Sequence, residues 1–208
     1  MKLTVFGASG PTGQRLVSQA VDRGHEVTAA VASSAPDSRF RPAVETVEVD
    51  VYEGDGVETA VAGASAVCVV LRHTKSTPAD YVTASGRHIL DAMESAGVQR
   101  YLTVVPATVR SENERRGIVE SVGCRLFELL RPTVSADAAD HVADVTTRNL
   151  EWTVVRVLRL ADGPTTRQYK TGSIKLGVDS VSYGDLSSFL LDCCERGIYL
   201  RMLPKIKT

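Results

Sequence analysis

The residues with the plainest chemistry lie near the start of the chain, in Gly7-Ala8-Ser9-Gly10-Pro11-Thr12-Gly13. Three glycines at this spacing, between a short apolar run and a segment of helical period, make a turn suited to a phosphate. Gly7 permits the tight turn, Gly10 lets backbone approach a pyrophosphate without a Cβ in the way, and Gly13 lets the next helix pack closely on the sheet. The helix N-terminus adds free N–H groups and partial positive charge. The other candidates are lone residues. His25, His73 and His88 lack ligand spacing with any carboxylate or cysteine, so a metal site is not expected. His141 is the histidine best suited to proton exchange near neutral pH, although Asp137, Asp140 and Asp144 on its segment describe a solvated charged face equally well. The four cysteines form no Cys-x-x-Cys pair and there is no Gly-x-Ser-x-Gly elbow, which disfavours a metal knuckle and an acyl-transfer nucleophile. The vicinal Cys193 and Cys194 read as core packing.

These residues need a scaffold, and the apolar pattern supplies one. Short β-branched runs alternate with segments of helical period, which is the signature of a parallel α/β sheet. Strands are expected at Leu3 to Phe6, Val27 to Val31, Thr46 to Val49, Ala66 to Leu71, Tyr101 to Val105 and Trp152 to Val157. Between them, Leu16, Val17, Ala20 and Val21 mark one helix, and Asp55 is placed to cap a second that carries Val57, Ala60 and Val61. Thr77 with Pro78 opens a third, whose inner stripe reads Val82, Ser85, Ile89, Ala92, Met93 and Ala96 before Gly97. An amphipathic helix carries Ile118, Val122, Leu126, Leu129 and Leu130, a further helix spans about 137 to 149, and Ser182 with Asp185 resembles a capping box before the last.

Composition bounds the rest. At 208 residues, 43% hydrophobic and 24% charged, the chain fits one globular domain without repeats or low-complexity tracts. Lysine plus arginine (24) nearly cancels aspartate plus glutamate (25), so no nucleic-acid or anionic-membrane footprint is expected, and no apolar stretch is long enough for a membrane span. Gly7 interrupts the opening apolar run too early for a signal peptide, so a cytoplasmic location with reduced thiols is the expectation. Oligomeric state stays open.

The glycine turn after an N-terminal strand, Asp50-Val51 after the third strand, the apolar run Ala66 to Leu71, Gly97-Val98-x-Arg100 and Ser182-Tyr183-Gly184-Asp185-Leu186 together resemble the atypical short-chain dehydrogenase/reductases. Among them the chain is most similar to the NmrA-like group with the biliverdin reductase B (flavin reductase) type. The resemblance implies a doubly wound parallel sheet, the Rossmann fold, with a small C-terminal substrate region mainly within 106–136 and 158–180, and a nicotinamide dinucleotide cofactor. Where a site preferring NAD(H) carries a carboxylate after strand two, this chain reads Val31-Ala32-Ser33-Ser34, with Arg39 and Arg41 nearby. NADP(H) is therefore favoured over NAD(H). Asp50 and Val51 resemble the adenine-edge contact, with a capping turn as the alternative. Leu71, Arg72 and His73, and Val105 and Pro106, fall at strand ends where cofactor contacts are expected.

The main branch of the superfamily uses Tyr-x-x-x-Lys, in which lysine lowers the tyrosine pKa. Four residues after the six tyrosines come Gly56, Ser85, Val105, Ser173, Ser187 and Leu203, so the pair is absent. Relatives of the biliverdin reductase B type commonly carry a hydroxyl after strand five, where this chain has Pro106, with Thr108 the nearest hydroxyl. Where they carry a later histidine it has Arg159, which could hold an anionic substrate and stabilise developing charge. The expectation is an NAD(P)H-dependent reductase acting on a small extended conjugated acceptor such as a quinone, flavin or tetrapyrrole. The alternatives are a redox sensor that binds NADP(H) without turnover and a non-redox dehydratase or cyclase of secondary metabolism.

Overall fold

The computed structural model of the protein describes residues 1–32, 40–111, 114, 116–177 and 180–208. Its strands are β1 (Lys2–Phe6), β2 (Glu26–Val31), β3 (Val44–Glu48), β4 (Ala66–Val69), β5 (Arg100–Pro106), β6 (Glu151–Val157), β7 (Leu160–Ala161), β8 (Lys170–Gly172), β9 (Val181–Ser182) and β10 (Lys205–Lys207). Its helices are α1 (Pro11–Asp22), α2 (Val57–Val61), α3 (Tyr81–Ala96), α4 (Ile118–Leu130), α5 (Pro132–Thr147) and α6 (Tyr183–Arg196). The main sheet runs β3-β2-β1-β4-β5-β6-β10-β8, and only the β10–β8 edge pair is antiparallel. The chain winds outward from β1 to β3, then returns to β4 beside β1 and winds the other way. That reversal opens a crevice at the carboxyl ends of β1 and β4, where a doubly wound sheet binds its ligand.

Both faces of the sheet are covered, which is why the central strands read as apolar runs. On one face Leu3 and Val5 pack with Leu16 and Val17 of α1 and Leu186, Phe189 and Leu190 of α6. On the other, Phe6, Val67 and Val69 meet Ile89, Leu90 and Met93 of α3 and Val142 and Val145 of α5. Buried Arg100 donates to the carbonyls of Glu151, Cys193 and Ile198 and so ties β5 to the end of α6. Cys193 and Cys194 are both in this core. Among the described residues no helix is long and apolar enough to cross a membrane.

The strand expectations hold to within a residue or two, and the departures fall at helix ends and faces. α3 begins at Tyr81, and the Thr77 hydroxyl instead accepts from the Thr74 N–H at 3.1 Å. The cap of α3 comes from α5: the Asp137 carboxylate accepts the N–H groups of Val82 (2.8 Å) and Thr83 (2.9 Å). In the α3 stripe Thr83 is buried and Ala96 is exposed. Asp55 does not cap α2; left-handed Gly56 precedes that helix, and Asp55 instead bridges by backbone to Asp50. Ser182 does cap α6, accepting from the Asp185 N–H at 2.9 Å. The Asp185 carboxylate turns outward to the N–H groups of Thr166 and Arg167 (2.7 Å each), which shapes the loop before β8.

The largest departure is α4. Its inward residues are Glu120 and Cys124, whereas Ile118, Val122, Leu126, Leu129 and Leu130 face solvent. Two buried cations explain the inversion, because Arg156 of β6 and Lys205 of β10 must be neutralised where they are buried. Glu114 bridges both and Glu120 reaches Lys205. Against the desolvation of its own burial, Glu114 is held down to a pKa of about 2 by Arg156 and Lys205.

Candidate functional site

At the sheet reversal lies a cavity of about 290 Å³. Gly10, Pro11 and Thr12 form one wall, and the residues after β4 (Val70 to His73) and at the end of β5 (Val104 to Pro106) form the floor. Val157 at the end of β6, Leu158 to Leu160 beyond it, and Phe127, Arg131 and Val134 close the far side, with Tyr183 at the start of α6 facing the glycine turn.

The turn fits a bound pyrophosphate. Gly7 has φ of +80°, and a Cβ there would stand 2.8 Å from the Val70 carbonyl oxygen. A Cβ at Gly13 would stand 2.2 Å from the Gly7 carbonyl oxygen, so only glycine allows α1 to start this close to β1. Ala8 is fully buried beneath the turn. No side chain caps the N-terminus of α1 and its first turn holds no acidic residue, which leaves helix N–H groups and dipole for an anion. Ser9 contributes its carbonyl to the Gln14 amide at 2.7 Å and flanks the same turn.

Charge is distributed unevenly. Arg72, Arg131, Arg159 and His73 line the cavity, and no carboxylate does. None of the three guanidiniums has an ion-pair partner among the described residues, while the other walls are mostly apolar. His73 is held in place: its Nε2 lies 2.6 Å from Asp137 Oδ2 and its Nδ1 lies 3.3 Å from the Thr77 hydroxyl. Asp137 thus joins the start of α3, α5 and the cavity in one buried carboxylate. This corrects the solvated-face reading for Asp137 and His141, whereas Asp140 on the same helix is exposed.

Leu71, Arg72, His73, Val105, Pro106 and Arg159 all meet at the cavity, with Gly10, Pro11 and Thr12. Ala32 is exposed at the end of β2, whereas Ser33, Ser34 and Arg39 lie outside the described residues. Arg41 pairs with Asp22 at 2.6 Å, so its charge is partly spent. Asp50 Oδ1 accepts from the Tyr52 and Glu53 N–H groups at 3.0 and 3.2 Å, the capping-turn alternative, and Val51 is buried beside it.

Two expected catalytic residues stand elsewhere. His141 is fully buried between α3 and β5, its Nε2 3.1 Å from the Tyr101 hydroxyl and its ring against Gly86. Desolvation drives its pKa down to about 4 despite the nearby Asp137 and Asp144, so it is neutral at pH 7 and serves the core. Thr108 is also buried, its hydroxyl without a hydrogen-bond partner among the described residues, and it is absent from the cavity wall. Phe127, Arg131 and Val134 fall within the substrate region expected at 106–136 although no sequence motif singles them out, and Tyr183 lies outside both expected segments. Pro132 directly after Arg131 marks the α4–α5 corner, and the Ser182 cap marks Tyr183 as the first residue of α6.

Comparison with known proteins agrees with this geometry. A family model described as NAD(P)H-binding matches residues 7–196. Among solved structures, a candidate NADH-flavin reductase from Streptococcus pneumoniae is 24% identical with a TM-score of 0.77, covering 100% of this chain and 99% of its own. A short-chain dehydrogenase/reductase of the wide type from Veillonella parvula, in complex with NADP, is 17% identical with a TM-score of 0.81 over 100% and 94%. A candidate NAD-dependent epimerase/dehydratase from Bacillus halodurans is 17% identical with a TM-score of 0.83 over 100% and 94%. These identities speak to the fold. The family match over most of the chain, on top of the glycine turn and the crevice it faces, means that the chain belongs to the NAD(P)H-binding family, in keeping with its resemblance to the atypical short-chain dehydrogenase/reductases.

Proposed function

We propose that the protein is an NAD(P)H-dependent reductase of a small, extended conjugated acceptor that carries negative charge, of the quinone, flavin or tetrapyrrole kind. The observation that carries the reading is the apolar cavity edged by Arg72, Arg131 and Arg159 with no carboxylate in its wall. When bound, the nicotinamide supplies a hydride. The glycine turn and the N–H groups at the start of α1 hold the pyrophosphate. Leu71, Val105 and Pro106 form the apolar floor that keeps water from the reacting faces. Arg159 and Arg131 hold the acceptor's anionic groups and stabilise the charge it gains. A delocalised product needs little concerted acid help, so solvent can deliver the proton later, consistent with a buried, neutral His141. Thr108, buried away from the cavity, is not assigned the proton.

NADP(H) is the cofactor of choice in this reading. No carboxylate stands at Val31-Ala32 to repel a 2′-phosphate, and Ser33, Ser34 and Arg39 are its proposed donors, with Asp50 and Val51 beside the adenine. The Veillonella relative bound to NADP lends support. Four free thiols suit a cytoplasmic enzyme. The likeness to the Streptococcus protein lends support to a reductase, and the likeness to the Bacillus protein keeps the dehydratase as the second reading.

The test is NADPH and NADH oxidation at the nicotinamide absorbance across matched quinones and flavins with and without a carboxylate or phosphate. Turnover with NADPH, stronger for the anionic member of each pair, is expected. Tight NADPH binding with no oxidation across the panel would favour the sensor, and substrate conversion with no absorbance change would favour the dehydratase.

A further inference from the structure

α4 presents a second anomaly that the cavity does not use. Ile118, Val119, Val122, Leu126, Leu129 and Leu130 are each exposed, from 51% at Val119 to 86% at Ile118. At 3.6 residues per turn these six fall in one arc of about 120° along the whole helix. The opposite side carries Glu120 and Cys124, buried, with Phe127 half-buried. The helix cannot roll to hide its apolar arc, because Glu120 is bound inward to the Lys205 ammonium and the Leu176 N–H, and Cys124 to the Ala107 carbonyl. The arc is therefore a fixed surface.

We infer that this face is a homodimer interface, in which α4 packs antiparallel on α4 of a second copy about a two-fold axis. Area argues for it. Applied to aliphatic residues of ordinary size, the six exposures sum to roughly 750 Å² per copy, close to the about 800 Å² that each partner of a stable complex buries and above the largest apolar patch usual on a monomer. Self-complementarity fixes the arrangement, since an isologous interface must pair each residue reciprocally. A two-fold at the level of Cys124, the midpoint of the helix, sets Ile118 opposite Leu130, Val119 opposite Leu129 and Val122 opposite Leu126, leaving no arc residue without an apolar partner. Arg125 and Glu128 are the exposed ionic side chains of α4, and both lie outside the arc, so the face itself carries no charge to hold two copies apart.

Sedimentation velocity of the intact protein at tens of micromolar tests the inference. The wild type should sediment as a dimer. Val122→Glu and Leu126→Lys, both at exposed positions, should each remain folded by circular dichroism and each become monomeric, with dissociation constants raised about 100-fold or more. Mixed together they should associate again, because the register sets residue 122 of one copy opposite residue 126 of the other. A monomeric wild type overturns the inference, and partition of that monomer onto lipid vesicles would give the face to a membrane surface instead. Dimers that survive both single substitutions, or variants that fail to recombine, overturn it equally.

Discussion

His141 shows how burial decides what a residue can do. On sequence it is a candidate for proton exchange near neutral pH, yet its ring is sealed between Tyr101 and Gly86 and its pKa falls from 6.5 to about 4. Between those values the unfolded chain binds a proton that the folded chain refuses, so stability rises with pH through this window and is lost as pH falls from 6.5 toward 4. The loss approaches about 1.4 kcal/mol per pH unit and about 3 kcal/mol in all. Glu114, depressed to about 2, acts in a lower window, with stability lost only as pH falls from 4.5 toward 2. Urea unfolding between pH 7 and pH 4.5 should therefore show a slope that His141→Gln largely removes; an unchanged slope in the variant would place the titration elsewhere. At this scale the glycine turn was legible because each glycine answers a local steric demand, and the strand-end residues because a doubly wound sheet gathers them. The burial of His141 and the arrival of Arg131 and Tyr183 at the cavity depend on how distant helices dock, which local pattern does not encode.

At the scale of elements, one carboxylate coordinates three segments. Asp137 on α5 caps α3 through the Val82 and Thr83 N–H groups, accepts from Thr83 Oγ1 at its own carbonyl, and holds His73 at the cavity. With its side chain 1% exposed, removal leaves buried donors that water cannot reach. Asp137→Ala should cost about 3 kcal/mol, and hydrogen exchange at the amides of 82 and 83 should accelerate far more than at the centre of α3. A loss under about 0.5 kcal/mol with unchanged exchange would show that the cap is dispensable. The same contact explains why α3 starts at Tyr81 and not directly after Thr77. Thr77-Pro78 is a sound local capping pattern, but the donors are met by a residue more than fifty positions away. The β1 to β6 order was legible because strands covered on both faces must be apolar throughout. The orientation of α4 was not, since amphipathic spacing identifies an apolar face without saying which way it points, and the buried Arg156 and Lys205 turned it outward. The three-residue β8 and β10 are too short to carry a period at all.

For the whole molecule, near-neutral net charge means that a dinucleotide must be held by local geometry rather than by a broad basic field. Its phosphates would meet the start of α1, directly behind β1 where the strand order reverses, so binding should brace the fold at that junction. The region proposed to hold substrate is not a separate body in these contacts: Asp185 of α6 grips the loop before β8, β8 pairs with β10, and β10 with β6. Heating should accordingly give one cooperative transition. At 100 times its dissociation constant NADPH should add about 2.7 kcal/mol and raise the midpoint by roughly 5–10 °C. Gly13→Ala should abolish the shift, since its Cβ would meet the Gly7 carbonyl at 2.2 Å. Because much of the hold comes from backbone N–H groups at a helix end, most of the shift should survive added salt, which screens exposed guanidiniums first. Calorimetry of the wild type and Gly13→Ala with and without NADPH, at low and high ionic strength, measures all four. Two transitions, with NADPH moving only one, would mean that residues beyond β6 fold as a unit apart from the sheet that binds the nucleotide.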